Sequence, residues 1–303
     1  MRRPASRRVF RLAILVLAFA CGQPLSGNAP DAGTNPEPLQ IEVHAAGESG
    51  FNVTATLIYG KTEAILVDSQ FHLTDARDLA SRVAATGRTL KAIFITHADD
   101  DHYMGAAALR ERFPRTPIYM APAGLREFRR TAAEALAAQK KRAPAETPET
   151  LPEPEPLPGS VLRIDGHEIK IVEDIQGDYS SSPSNSMVWV PSLRTVITGD
   201  VVFSGIHPWL AGSTPETRAA WLRSLKRVAL LHPLRVVPGH LADTAPGDGL
   251  DALSFMTSYL ETFDELRKSE PDADAFVQAM ERKFTGLGQE KFLTLAAKST
   301  YGK

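Results

Sequence analysis

The sequence is poor in cysteine and has no excess of either charge. Cys21 is the only cysteine in 303 residues, so the chain cannot close an internal disulfide bond or build a cysteine-rich zinc module. Any metal ion must therefore be held by histidine, aspartate or glutamate. The chain carries 34 lysines and arginines against 36 aspartates and glutamates. This balance argues against a general nucleic-acid-binding protein.

Several common catalytic signatures are also missing. The sequence contains no GxSxG motif and no serine–histidine pair in a strand-turn-helix context, which argues against a serine nucleophile. Neither a phosphate-binding loop nor a glycine-rich dinucleotide fingerprint occurs. Hydrophobic residues nevertheless make up 43% of the chain, which is enough for a packed core. We therefore expect a folded protein, and the sequence leaves its oligomeric state open.

The N-terminal segment is typical of a processed leader. Five arginines precede the apolar run Leu12 to Ala20, which is too short to form a stable membrane-spanning helix. We predict a signal peptide over residues 1–21, a flexible tether over the Gly- and Pro-rich residues 22–38, and one domain over residues 39–303.

Two motifs in the leader suggest how the protein leaves the cytoplasm. Ser6 to Leu12 resembles a bacterial twin-arginine export motif. Ala18 to Cys21 resembles a lipoprotein cleavage box, although Phe19 stands where a small residue is usual. We expect export to the bacterial periplasm, either as a soluble protein or as a lipoprotein. A lipid on Cys21 would be the only link to the membrane.

From Leu39 onward, apolar strand-like segments alternate with amphipathic helical ones. The spacing predicts a short buried strand over 90–95. The helices are predicted over 74–85, 104–113, 123–142, 215–231, 249–268 and 272–283. Strands that lead into helices, once in each half, predict an α/β sandwich with the sheets inside and the helices outside. The Pro- and Glu-rich residues 143–158 predict a surface loop, either a plain linker or a cover over a site.

The loop THADDDH follows the strand at 90–95 and crowds five ionisable side chains together. On an extended loop, residues two apart point the same way, so His97, Asp99 and Asp101 can converge. His102 then turns towards a second position, a spacing that suits two adjacent metal ions. Asp100 is expected to face solvent or to support a ligand.

Three more candidate ligands lie downstream, each at the end of an apolar strand and each after a glycine. They are Asp178, Asp200 and His240. In α/β proteins, catalytic groups and ligands gather at the loops that follow the strands.

Together these motifs resemble the metallo-β-lactamase-fold superfamily, whose pattern is HxHxDH, a lone His, an Asp after Gly, and a final His. The resemblance covers roughly residues 39–245 and implies an αββα metallo-β-lactamase-like sandwich with two divalent metal ions. It assigns His97, Asp99 and Asp178 to the first metal and Asp101, His102 and His240 to the second. Asp200 would bridge the two metals, and Asp101 would also accept a proton during catalysis. The implied activity is hydrolysis by a metal-bound hydroxide of an ester, lactone, amide, thioester or phosphoester.

The sequence departs from this pattern at two positions. Asp99 and Asp178 stand where histidines are usual, so four carboxylates face two ions. The family favours zinc, whereas the extra carboxylate oxygens make manganese or iron plausible. Asp99 also resembles the di-iron branch of the superfamily, which keeps a redox or oxygen-using protein open as the alternative. A third hypothesis is a metal-poor binding protein.

Several other residues near these motifs each have two possible roles, one functional and one structural. Asp68 either orients a ligand histidine or forms a strand-ending turn. Tyr103 either donates a hydrogen bond to a substrate or packs at a helix start, and His207 either reaches the substrate or packs beside Trp209. Ser184, Asn185 and Ser186 are candidates for a polar wall. His44, His72, His167 and His232 have no partners at ligand spacing and are expected to be structural.

Overall fold

The computed structural model describes residues 36–178, 183–242 and 249–302. The predicted signal peptide, most of the tether, and residues 179–182 in the loop after Asp178 lie outside these ranges. The chain from Pro36 onward forms one compact unit. No helix within the described ranges combines the length and apolar character needed to cross a membrane.

The first sheet has six strands in sequence order, with antiparallel pairing at its start and parallel pairing at its end. Its strands are β1 (Gln40–Ala45), β2 (Thr54–Tyr59), β3 (Glu63–Val67), β4 (Thr89–Ile95), β5 (Ile118–Met120) and β6 (Glu155–Pro156). β2 and β4 are rich in β-branched and large apolar residues, which suit a pleated surface buried on both faces.

The second sheet has five strands in the order β12-β10-β9-β8-β7. They are β7 (Val161–Ile164), β8 (His167–Ile175), β9 (Asn185–Val190), β10 (Thr195–Ile197) and β12 (Arg235–Val237). A separate short pair joins β11 (Phe203–Ser204) to β13 (His240–Leu241).

Helices flank the two sheets on their outer sides. They are α1 (Leu73–Ala85), α2 (Asp100–Tyr103), α3 (Ala106–Arg112), α4 (Pro122–Arg142), α5 (Pro215–Leu230), α6 (Leu250–Ser269), α7 (Ala273–Lys283) and α8 (Glu290–Tyr301). One buried cluster joins both sheets, for example through Phe94 and Val188, and is the core between them. A second cluster packs α1, α3 and α4 on the first sheet, and a third packs α5 to α8 on the second. The predicted α/β sandwich with outer helices is therefore confirmed.

The structure departs from the sequence predictions in three places. The helix expected over 104–113 begins at Ala106, after the separate short helix α2, and Gly105 between them passes so close to Ser69 that a Cβ atom would lie 2.1 Å from the Ser69 carbonyl oxygen. The segment 143–158 is not excluded from the core, because β6 extends the first sheet and Leu157 is buried between the sheets. The final helix, α8, was not predicted, although its inner face is apolar.

The turn that follows β10 is tied to the helix layer by Trp221 on α5. This side chain is fully buried, and its indole Nε1 donates a hydrogen bond of 2.8 Å to the Val201 carbonyl oxygen. Residues 199–201 form a single helical turn, so the bond fixes the position of the side chain at 200.

Replacing Trp221 should therefore destabilise this turn. We expect Trp221→Phe to lower the free energy of unfolding by about 1–3 kcal/mol, because the buried Val201 carbonyl loses its donor. Urea denaturation measures the change. Trp189→Phe, at a half-buried position on β9, is the matched control and should cost no more than about 1 kcal/mol. Equal losses in the two variants would contradict the proposed anchoring.

Candidate metal centre

Segments that follow three strands, together with the short strand β13, meet at one edge of the sandwich. His97 and Asp99 lie in the loop after β4, and Asp101 and His102 lie in the short helix α2 that continues this loop. The second sheet and its associated short pair contribute Asp178 after β8, Asp200 after β10 and His240 in β13. The seven side chains predicted as metal ligands thus come from both sheets and lie together.

The seven side chains form overlapping groups that are compact enough to hold metal ions. Within each group, the potential ligand atoms lie within 4.8 Å of one another. The groups are Asp101, His102 and His240; Asp99, Asp178 and Asp200; and His97, His102 and Asp200. The first group is the set that the family resemblance assigns to the second metal, whereas the second group holds Asp99 and Asp178 from the set assigned to the first metal, with Asp200 in place of His97. Asp200 and His102 each appear in two of the groups.

Asp200 turns a different oxygen towards each side. Its Oδ1 lies 2.9 Å from His102 Nε2 and 3.2 Å from His240 Nε2. Its Oδ2 lies 3.7 Å from His97 Nε2. One carboxylate therefore faces imidazoles on two sides, which is the arrangement that a bridging ligand requires.

All three imidazoles are held by their Nδ1 atoms, so that Nε2 is turned into the site. His240 Nδ1 lies 2.8 Å from the Phe51 carbonyl oxygen, which only accepts, so Nδ1 must carry the proton. His102 Nδ1 lies 2.9 Å from Asp68, and His97 Nδ1 lies 2.9 Å from the Thr96 hydroxyl. Such outer contacts fix the tautomer and ring orientation of metal-binding histidines.

Asp68 holds His102 and the start of the THADDDH loop in place through hydrogen bonds. Besides His102, its carboxylate accepts hydrogen bonds from the backbone N–H and the hydroxyl of Thr96, at 2.8 and 2.9 Å. Asp68 has a left-handed backbone conformation (φ 61°), which costs a non-glycine residue energy and clusters at functional sites. The contact with His102 agrees with the prediction that Asp68 orients a ligand histidine.

Two buried polar atoms in the site, His97 Nε2 and Asp178 Oδ2, have no hydrogen-bond partner among the described residues. Buried polar atoms are almost always paired, so these need another partner. Two atoms bound to one zinc ion at about 2.0–2.1 Å and a tetrahedral angle are about 3.4 Å apart. The distances of 3.2 Å (His240 Nε2 to Asp200 Oδ1), 3.6 Å (His240 Nε2 to Asp101 Oδ2) and 3.7 Å (His97 Nε2 to Asp200 Oδ2) are close to that value, so the residues fit divalent metal ions.

Burial and crowding shift the pKa values of these groups. Burial, followed by repulsion from Asp178, Asp101 and Asp200, raises the pKa of Asp99 well above its ordinary value. Burial also raises the pKa of Asp178, and attraction to His97 offsets only part of that effect. Burial alone would raise the pKa of Asp200, but His240, His102 and His97 hold it well below its ordinary value. Fewer histidine side chains therefore stabilise the charged carboxylates of Asp99 and Asp178 than that of Asp200.

Glycines let the strand-end loops approach one another. A Cβ atom on Gly239 would lie 2.5 Å from the Gly199 carbonyl oxygen and 2.7 Å from Asp200 Oδ1. A Cβ atom on Gly177 would lie 2.6 Å from the Asp200 carbonyl oxygen, and Gly199 has a positive φ of 51°. This explains why a glycine precedes each of the three downstream candidate ligands.

A cavity of about 340 Å³ opens onto the site. Asp99, Asp101, Asp200 and His240 form one part of its lining. The remainder is mixed, with aromatic, basic and polar side chains that include Phe51, Tyr103, Arg130, Arg142, Trp209 and Phe292. The cavity is the size of a small-molecule site.

The other sequence candidates divide between the cavity and the core. Tyr103 lines the cavity, and its buried hydroxyl makes no hydrogen bond to described residues. Asp100 also lines the cavity, and burial with repulsion from Asp101 raises its pKa to about 6. His207 instead lies in the core, 2.8 Å from the Tyr259 hydroxyl, and burial lowers its pKa to about 4. Asn185 donates a hydrogen bond to Asp178 Oδ1 at 3.2 Å.

Four other histidines, His44, His72, His167 and His232, belong to none of the three candidate metal groups found among the described residues.

Sequence reasoning missed the residues that act through backbone or shape. Phe51 holds His240 with its carbonyl oxygen, which no side-chain pattern reveals. The cavity lining by Phe51, Trp209 and Phe292 joins residues from distant parts of the chain.

The comparisons with known proteins agree with this geometry. A family model described as the metallo-beta-lactamase superfamily matches residues 49–240. A beta-lactamase domain protein from Burkholderia ambifaria is similar in structure, with a TM-score of 0.64 and 17% identity over 89% of this chain and 90% of that one. A metallo-beta-lactamase family protein from Thermus thermophilus has a TM-score of 0.60 and 16% identity over 87% and 91% of the two chains. No curated protein matches the sequence significantly.

The contact between Asp68 and His102 can be tested by a change of one atom. We expect Asp68→Asn to weaken metal binding roughly 10–100-fold, because the amide no longer fixes the His102 ring as a carboxylate does. Titration against a chromophoric chelator measures the affinity. Asp75→Asn is the matched control, since Asp75 lies 3.8 Å from His72 outside the site, and its metal affinity should be unchanged. Unaltered binding in Asp68→Asn would refute the orienting role.

The close approach at Gly239 gives a second test. Gly239→Ala should reduce metal content and lower the free energy of unfolding by about 1–3 kcal/mol, because the added methyl group overlaps the backbone at Gly199 and the Asp200 carboxylate. Metal analysis and urea denaturation supply the measurements. Gly47→Ala is the control, since that position has an ordinary φ of −68° and no atom within 4 Å of the new methyl group. Full metal content in Gly239→Ala would show that the loops do not need this contact.

Proposed function

The chain belongs to the metallo-beta-lactamase superfamily, and from this membership we propose that it is a metal-dependent hydrolase. Its substrate would be a small molecule with an ester, lactone, amide, thioester or phosphoester bond. The position of Asp200 carries the proposal, because its two oxygens face His102 and His240 on one side and His97 on the other. This arrangement supports a pair of cations in one site.

The donor atoms divide into two positions that share Asp200. His97, Asp99 and Asp178 would hold one divalent ion, and Asp101, His102 and His240 would hold the other. When bound, such ions supply a reactive water at neutral pH and polarise a carbonyl or phosphoryl oxygen. Zinc is the ion that the family favours, whereas the carboxylates at 99 and 178 also suit manganese or iron.

The protein's own residues would orient the reactants and move the proton. The Asp101 carboxylate borders the cavity, with Oδ2 3.6 Å from His240 Nε2, where it can accept a proton from an attacking water. The hydroxyl of Tyr103 would donate a hydrogen bond to an oxygen of the substrate. The rings of Phe51, Trp209 and Phe292 would contact an apolar part of the substrate and exclude bulk water.

A di-iron protein with redox or oxygen-using chemistry is the second candidate. The carboxylate at Asp99 favours it, because that branch of the superfamily resembles this chain there. Asp178 counts against it, since the branch usually keeps a histidine at that position. An iron-dependent visible absorption band together with oxygen uptake would favour this alternative over hydrolysis.

We also propose that the protein acts outside the cytoplasm. The support comes from the leader sequence alone, with its arginines, its apolar run and Cys21. The sequence therefore favours a periplasmic or lipid-anchored hydrolase, and the oligomeric state stays open.

Metal content and hydrolysis can be tested together. Purified wild-type protein should contain two divalent ions per chain and hydrolyse a member of a panel of esters, lactones, thioesters and phosphoesters. Asp200→Ala and His240→Ala should each lose at least one ion, because they remove the shared and the second-position ligand, and hydrolysis should fall to background. Elemental analysis and steady-state rates supply the measurements.

Two variants outside the site control for general effects of removing a charged or imidazole side chain. Asp78→Ala removes an exposed carboxylate on α1, and His167→Ala removes a histidine at the start of β8. Both should keep the wild-type metal content and rate. Unchanged metal content in Asp200→Ala and His240→Ala would defeat the proposed function.

A further inference from the structure

The two proposed metal positions have different donor atoms. The imidazole-rich position consists of Asp101, His102 and His240, with Asp200 shared. The oxygen-rich position consists of Asp99, Asp178 and the shared Asp200. His97 would be its single imidazole, since His97 Nε2 lies 3.7 Å from Asp200 Oδ2. The first set has two nitrogen donors and two carboxylates, whereas the second has one nitrogen donor and three carboxylates.

A further acceptor oxygen, from the side chain of Asn185, lies beside Asp178 in the oxygen-rich position. Asn185 donates a hydrogen bond from Nδ2 to Asp178 Oδ1 at 3.2 Å. Its own Oδ1 and Asp178 Oδ2 are buried and have no hydrogen-bond partner among the described residues. Gly177 brings the chain close enough that an added Cβ atom would lie 3.0 Å from Asn185 Oδ1. Two buried acceptor oxygens on neighbouring side chains need a hydrogen-bond donor or a cation, and a metal ion held by Asp178 would supply the cation.

The imidazole-rich position has a different kind of support. His102 and His240 are both held at Nδ1 by acceptor oxygens, so their Nε2 lone pairs are available as ligands. The His240 ring also stacks on Phe203, with ring centroids 4.7 Å apart and nearly parallel planes. Rigid imidazole donors of this kind suit zinc, whereas carboxylate and carbonyl oxygens suit harder ions such as manganese and magnesium.

We infer that the centre is heterodinuclear, with zinc in the imidazole-rich position and a hard, oxygen-preferring divalent ion of the manganese(II) type in the oxygen-rich position. The inference rests on the proposed metal site and specifies which ion each half of it selects. Asp178 and Asp99 set the preference, because they supply carboxylate oxygen where the family pattern has imidazole nitrogen. Asn185 would help through its neutral amide oxygen.

Competitive loading of the full chain tests this inference without measuring activity. Metal-free protein is mixed with one equivalent of zinc and an excess of manganese(II), because surplus zinc would displace manganese from any site of nitrogen and oxygen donors. After a desalting column, elemental analysis and the electron paramagnetic resonance of bound manganese measure the retained ions. Wild-type protein should retain one zinc and one manganese per chain. Asp178→His should retain its zinc and lose most of the bound manganese signal, because an imidazole replaces one of the carboxylates that suit manganese.

Asp174→Asn is the matched control. Asp174 is a carboxylate outside the site, four residues before Asp178, and its positive φ of 55° is one that asparagine tolerates. This variant should load like the wild type.

Two outcomes would overturn the inference in different ways. If wild-type protein retains its zinc and leaves manganese in solution, the oxygen-rich position does not take the harder ion and the inference fails, whereas the proposed metal-dependent hydrolase stands. If the wild type retains neither ion, both the inference and the proposed function fail. The wild-type result decides the question even if Asp178→His does not fold.

Discussion

The structure is organised around one buried carboxylate that faces imidazoles on both of its sides. Asp200 is 2% exposed, and its oxygens lie 2.9 to 3.7 Å from the Nε2 atoms of three histidines. Two of those histidines come from the first sheet and one from the short pair that follows the second sheet. The site therefore exists only where the two halves of the sandwich meet, and the packing of the sheets fixes its geometry.

Placing so many ionisable groups in the core is costly unless cations join them. Burial opposes the charged form of a carboxylate, and at Asp200 the three surrounding imidazoles outweigh it. At Asp99 and Asp178 burial prevails, and both pKa values are raised. The chain nevertheless uses glycines, a strained Asp68 and a buried indole hydrogen bond to hold these groups together. Such local costs are expected at functional sites rather than in parts of a fold that serve stability alone.

Much of the fold and the candidate site follows from the sequence, because strands and ligands leave local patterns. The apolar run before His97 predicted β4, and helical spacing predicted α1 and α4 nearly to their observed ends. The contacts of Phe51 and the cavity wall had no such signal, because they depend on a carbonyl group and on side chains brought together by packing. Asn185 belongs to the same class, since nothing in its local sequence separates it from the serines beside it. Leu157 shows how tertiary packing places an apolar side chain in the core from a segment of unfavourable composition.

The central claim is that the strand-end loops enclose two cations that share Asp200. Anomalous diffraction from crystals of the metal-loaded protein tests it most directly, because data collected on either side of each metal's absorption edge locate and identify every bound ion. The account predicts two peaks, one beside Asp101, His102 and His240 and one beside Asp99 and Asp178, with the Asp200 carboxylate between them. A single peak, or two peaks that do not both contact Asp200, would contradict it.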